Sequence, residues 1–146
     1  MVEKFTTEPI ELPPADHAFE RCDLIFYGLD HSGASFEARV FVDPRGVNRD
    51  AGSDHRAYVG SFFILGHGGC FGEVGHCDIP AACDPFDLRP AHQLEPAIRI
   101  LTVTDPVRAL LERDVKAAKV TVVAETEGRA ANDVLAFETV RLATYA

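Results

Sequence analysis

The chain has 146 residues, of which 47% are hydrophobic and 25% charged, and it carries a formal net charge of −9 at pH 7. This is the composition of an ordinary soluble globular protein, and it suits a single domain over 1–146 that buries roughly 70% of its unfolded surface. The acidic balance argues against nucleic acid, whose binders are typically basic. No window approaches about eighteen uninterrupted apolar residues, the least a membrane helix requires.

The first residues, Met1 to Glu8, have neither a basic n-region nor an apolar h-region. The expected location is therefore the cytoplasm, with export only alongside a partner. Residues 1–20 contain Pro9, Pro13 and Pro14 among several charges, without periodicity, and are expected as an extended arm laid over the domain. Asp23 to Gly28 reads as a strand, and Leu29-Asp30-His31-Ser32-Gly33 has turn chemistry. From Ser35 to Asp43 the pattern alternates: Phe36, Ala38, Val40 and Val42 share one face, while Glu37 and Arg39 take the other. Two strands about a short glycine-containing turn suggest a hairpin. Pro44 to Arg56 is polar and is expected as an exposed loop, with His55 solvated in it and His31 solvated in the turn before it.

Residues 57–65 read as a strand. The stretch 66–96 that follows carries Pro80, Pro85, Pro90 and Pro96, which preclude a regular element of any length. An irregular segment of this size inside a small domain is unusual and often functional. Within it, Asp87-Leu88-Arg89-Pro90 is expected to act as an anchor. Ala97 to Val103 reads as another strand. A helix is expected from Pro106 to about Val115, with Asp105 as N-cap, Pro106 at the first helical position, and Val107, Leu110 and Leu111 as its apolar stripe. Lys119 to Glu125 and Val134 to Thr144 complete the set as strands around a Glu127-Gly128 turn. Six strands and one short α-helix predict an all-β fold, an antiparallel β-sandwich of jelly-roll-like type.

The chemistry concentrates in Gly66-His67-Gly68-Gly69-Cys70-Phe71-Gly72-Glu73-Val74-Gly75-His76-Cys77-Asp78. Four of the chain's eleven glycines separate His67, Cys70, His76 and Cys77. Thiolate and imidazole together are the usual ligands of zinc or copper, and glycine gives a short loop the freedom to converge them. Cys83 and His92, further on, could supply another ligand, and Asp78 or Glu73 an oxygen. The spacing lacks the paired knuckles of a zinc ribbon or finger. Three states stay open: metal held by a subset of His67, Cys70, His76, Cys77, Cys83 and His92; a disulfide such as Cys70 to Cys77 pinning the loop; and plain thiols. Phe71 either projects into a partner or folds back onto the strand ends, the commoner fate of an aromatic side chain. Ser61 lacks the strained elbow of a nucleophilic serine, and Gly66-His67-Gly68-Gly69 has no nucleophile motif to accompany it, so hydrolysis is not expected.

Three ordered pieces of the chain resemble the C-terminal domain of plant polyphenol oxidases. Ser35-Phe36-Glu37-Ala38-Arg39-Val40-Phe41-Val42-Asp43 is similar to that domain's "KFDV" strand. Tyr58-Val59-Gly60-Ser61-Phe62 looks like its "FAGSF" strand, and Leu101 to Leu111 resembles its strand-then-helix segment. With Val120 to Val123 and Phe137 to Leu142 as the closing strands, the resemblance covers roughly residues 23–143. It implies the β-sandwich that accompanies type 3 copper proteins (tyrosinases, catechol oxidases and molluscan haemocyanins), where it covers a dicopper site on a separate helical domain and places a side chain over the coppers. Some microbial versions carry cysteines proposed to help deliver copper.

These residues do not include the helical domain with its histidine sets, so the resemblance does not imply phenol oxidation by this chain alone. What it implies is an accessory domain that binds and shields a type 3 copper oxidase partner, with Phe71 facing that partner and copper held by the His/Cys loop. One alternative is a stand-alone mononuclear copper or zinc metalloenzyme, a metal-dependent oxidoreductase, on the same scaffold. The other is a structural module with a zinc or disulfide staple. Exposed sandwich edges also suit a homodimer.

Overall fold

The computed structural model describes residues 2–67, 95–126 and 134–146, together with Val74 and Phe86. Two antiparallel sheets face each other. The larger contains β1 (Val2–Thr6), β2 (Ile10–Glu11), β4 (Phe36–Asp43), β5 (Tyr58–Ile64) and β7 (Ala117–Glu125), in the order β1-β7-β4-β5 with β2 also on β7. The smaller runs β6 (Ala97–Thr102), β3 (Arg21–Leu29), β8 (Thr139–Tyr145). One helix, α1 (Thr104–Glu112), follows β6. The fold is an all-β sandwich, as the alternation of apolar residues requires.

The core lies between the sheets. Phe36, Ala38, Val40 and Val42 of β4 join Val120, Val122 and Ala124 of β7 on one side, and Cys22, Leu24 and Phe26 of β3 face them from the other. Phe26 is fully buried. Its ring lies 5.2 Å from that of Phe62 on β5 and 5.6 Å from that of Phe137, which precedes β8. Phe137 in turn meets Phe5 of β1 edge-on at 4.9 Å. Aromatic groups from both sheets thus interlock at distances where edge-to-face contact is favourable.

Two irregularities decide which residues reach this core. In β3 the register slips between Phe26 and Leu29, and Gly28 sits in the slip with φ +67°, the left-handed conformation that glycine adopts without strain. The bulge restores Leu29 to the inner face, where it is fully buried. In β5 the slip between Val40 and Phe41 of its partner places Val59 against the main core and Tyr58 against a second, smaller cluster.

That second cluster corrects the expectation for residues 44–56. The segment is not a free loop: it folds over the outer face of the large sheet, where Val47 and Ala57 bury Phe41 and Val123. His55 belongs to this cover and is half-buried. Its Nδ1 accepts the Ala57 N–H at 3.1 Å and its ring packs edge-on against Phe41. An apolar Phe41 on the outward face had to be covered by something, and the adjoining segment does it.

The expected hairpin of β3 and β4 is also absent. β3 pairs with β6 and β8, whereas β4 pairs with β5 and β7, so the turn between β3 and β4 crosses from one sheet to the other. β7 and β8 likewise belong to different sheets. Both members of each pair have an apolar face, and facing each other across the core buries more of it than lying side by side.

The first twenty residues, expected as an arm, are hydrogen-bonded into the large sheet through β1 and β2. Pro9 falls between these strands, where no ladder N–H is needed. Thr7 bridges the gap: its N–H donates to Val120 O (2.9 Å) and its hydroxyl accepts the Val120 N–H (3.0 Å). The helix begins at Thr104 with Val103 as N-cap and no side-chain cap, so Asp105 is not the cap but an acidic group in the first turn, where it favours the helix dipole. The Thr104 hydroxyl instead accepts the N–H of Cys22, tying the helix to β3 (3.0 Å). The Glu127-Gly128 turn lies outside the described residues.

Phe26→Ala is expected to cost about 3–5 kcal/mol, because it removes the ring that joins the sheets and leaves a cavity. Urea unfolding of the variant against the parent checks this.

Candidate functional site

β3 ends at Leu29, and the chain turns through Asp30–Ala34 toward the other sheet. The Asp30 carboxylate accepts the Ser32 N–H at 2.8 Å, and the Asp30 N–H donates to Ala136 O at 2.9 Å. The hydrogen bonds from Ser32, with a smaller contribution from the nearby His31, hold the Asp30 carboxyl below its usual range against a modest desolvation penalty. The turn is therefore pinned at its base, and it carries His31.

β5 leaves the large sheet beside this turn. Gly66 N–H donates to Ser35 Oγ at 3.0 Å, and His67 N–H donates to His31 O at 2.9 Å. On the far side of the 66–96 segment, His31 Nε2 donates to the main-chain oxygen of Glu95 at 2.6 Å. One residue thus holds both ends of the long segment, His67 through its own carbonyl and Glu95 through its side chain. The approach is close: a Cβ on Gly66 would collide with the Gly33 oxygen and the Ala34 backbone.

The same closure brings two imidazoles together. The rings of His31 and His67 lie 5.4 Å apart between centroids, with their planes at 62°. Both residues are half-buried. His31, expected to be solvated, is instead the clamp of the segment. The sequence carries one faint sign of it, a histidine directly after a buried strand and within an Asp-x-Ser turn, but nothing linear indicates that residues 67 and 95 meet there.

Of the sequence-predicted ligands, the structure places His67 at this root. Cys70, His76, Cys77, Cys83 and His92 lie outside the described residues, as do Phe71, the Cys70 to Cys77 pairing and the Asp87-Leu88-Arg89-Pro90 anchor. Among the described residues no group of three or more His, Cys, Asp or Glu side chains could hold a metal ion. No helix among them is long and apolar enough to cross a membrane. Beside the root runs a groove of about 540 Å³ between Ser35, Glu37, Phe63, Leu65, Glu125 and Thr126. Phe63 and Leu65 are 67% and 77% exposed at its edge.

Cys22 is a different kind of thiol. It is fully buried between β3 and the core, and burial, followed by the adjacent Asp23 carboxylate, pushes its pKa up to about 11. Asp23 is itself buried, and keeps its charge company with Arg21 at 3.0 Å and the Thr102 hydroxyl at 3.0 Å. A neutral, inaccessible thiol is neither a nucleophile nor a metal ligand.

Gly66→Ala is expected to destabilise the protein by about 1–3 kcal/mol, the range for forced overpacking, and to speed hydrogen exchange at His67, which reports the opened root. A variant with Cys70, Cys77 and Cys83 all replaced by Ser retains only Cys22; it should not react with Ellman's reagent at pH 8 and should yield one thiol equivalent in denaturant. As pH rises, the unfolded chain loses the Cys22 proton first. The contribution of this thiol to stability therefore declines between the ordinary thiol pKa and about 11.

No protein-family model and no curated protein matches the chain, so a functional reading stands on these residues and their geometry.

Proposed function

We propose that the chain is a non-catalytic β-sandwich accessory domain that docks on a type 3 copper partner and handles copper through its 66–96 segment. The closed root carries this reading. The sandwich delivers both ends of the segment, His67 and Glu95, to His31, and a rigid scaffold that fixes the ends of a loop is the usual support for a functional one. His67, one member of that set, already sits at the root beside a second imidazole. Imidazole and thiolate together suit copper and zinc, and thiolate favours Cu(I). A docked partner would cover the exposed Phe63 and Leu65 beside the root.

Anaerobic titration of the reduced protein with Cu(I), in competition with a chelator, tests the copper half of the reading. Near-stoichiometric binding is expected, weakened at least about tenfold when Cys70, Cys77 and Cys83 become Ser, a loss no smaller than outer-shell changes cause. A type 3 copper phenol oxidase stripped of metal tests the other half: the copper-loaded chain should restore its activity and the metal-free chain should not. A reduced protein that takes up no copper would sink the proposal.

A further inference from the structure

The structure assigns His31 and His67 as a two-imidazole site for a divalent transition-metal ion, Cu²⁺ before Zn²⁺, whose occupancy locks the root of the 66–96 segment. This goes beyond copper handling by the segment, because it places a ligand on the β3–β4 turn and needs none of the cysteines.

The first argument is the tautomer. A main-chain oxygen only accepts, so the 2.6 Å contact with Glu95 puts the proton of a neutral His31 on Nε2. The lone pair that remains is on Nδ1. An imidazole whose second nitrogen donates to a carbonyl is the arrangement that metal-ligating histidines adopt, since it fixes the ring and raises the basicity of the ligating atom. The second argument is distance. With metal–nitrogen bonds of about 2.0–2.1 Å, two neighbouring imidazoles place their ring centroids roughly 5 Å apart on a tetrahedral ion and roughly 4.5 Å apart on the tetragonal Cu²⁺ ion, so closure on copper draws the rings together by under about 1 Å. The pair here stands at 5.4 Å. The third is that His67 is held through its main-chain N–H, which leaves its ring to turn without breaking the clamp.

Imidazole suits both copper and zinc, and Cu²⁺ binds most tightly in the divalent series. With two protein ligands, the other coordination positions are filled by water. The ion would act on the clamp directly. Coordination at Nδ1 draws electron density from the ring, so Nε2–H becomes a stronger donor to Glu95, while the shared ion ties the ring of His67 to that of His31. An ion that binds only the closed root stabilises it by linkage.

The test uses the variant in which Cys70, Cys77 and Cys83 are Ser. Electron paramagnetic resonance of Cu²⁺ added to it should show nitrogen splitting from two imidazoles. His67→Ala should leave one and weaken binding at least about tenfold. His31→Gln keeps a donor for Glu95 and should have the same effect on copper. Hydrogen exchange at His67 should slow on adding Cu²⁺ to the triple variant and should not respond in the His31→Gln form. If the triple variant fails to fold, Zn²⁺-dependent slowing in the otherwise unaltered protein, abolished by His67→Ala, replaces it. Copper binding that survives both histidine substitutions, or binding without any effect on exchange, would overturn the assignment. Loss of cysteine-dependent Cu(I) binding alone would sink the accessory-domain reading and leave this site standing.

Discussion

The contact of Phe26 with Phe62 across the sandwich is the interaction on which the other features depend. β3 is the central strand of the small sheet, and its inward residues must reach the large sheet without a gap. Phe26 spans that distance from one side and Phe62 from the other. Interiors are packed as densely as organic crystals, so a ring of this size fixes the spacing of the sheets as well as filling it. The bulge at Gly28 follows from the same demand. Without the extra residue, the alternation of β3 would turn Leu29 outward, and the strand would lose its last inward side chain.

Once β3 is set, the position of the turn that leaves it is set as well. The chain crosses from β3 to β4, and this brings His31 to the end of the sandwich where β5 departs and β6 begins. The clamp is then built from four groups on three residues, all with little freedom: the carbonyl and ring of His31, the N–H of His67 and the oxygen of Glu95. Bringing the ends of a long segment together costs entropy that grows only slowly with its length. Hydrogen bonds between half-buried groups, each worth about 1 kcal/mol net, add to the pairing of β5 and β6 in their own sheets, which already fixes where the two ends lie.

Much of the fold is legible in the residues. The alternation in 35–43 and the apolar runs at 23–28, 57–65 and 97–103 correspond to observed strands, the first because a two-residue period marks a half-buried strand and the others because they are too short for a buried helix; of the closing pair, the strand expected over 134–144 forms only from Thr139. Three features are not legible there. β1 and β2 are masked by proline and charge, which edge strands tolerate and central ones do not. The helix starts two residues early, at Thr104 after Val103, with no side-chain cap to mark its end in the sequence. The apparent hairpin fails because adjacency in sequence does not say whether two strands sit side by side or face to face.

The candidate site divides along the same line. By itself, the sequence determined the strand pattern, the solvent-averse faces and the presence of soft metal ligands in the stretch after β5. Those are local properties, set by residue type and spacing. Only the tertiary structure decided that His31, read as a surface residue in a turn, sits against His67 and holds Glu95. It also decided that Cys22, chemically equivalent to the other cysteines on paper, is sealed in the core. Proximity between residues far apart in the chain, and the burial that goes with it, arises from how the two sheets stack, and no short-range pattern encodes that.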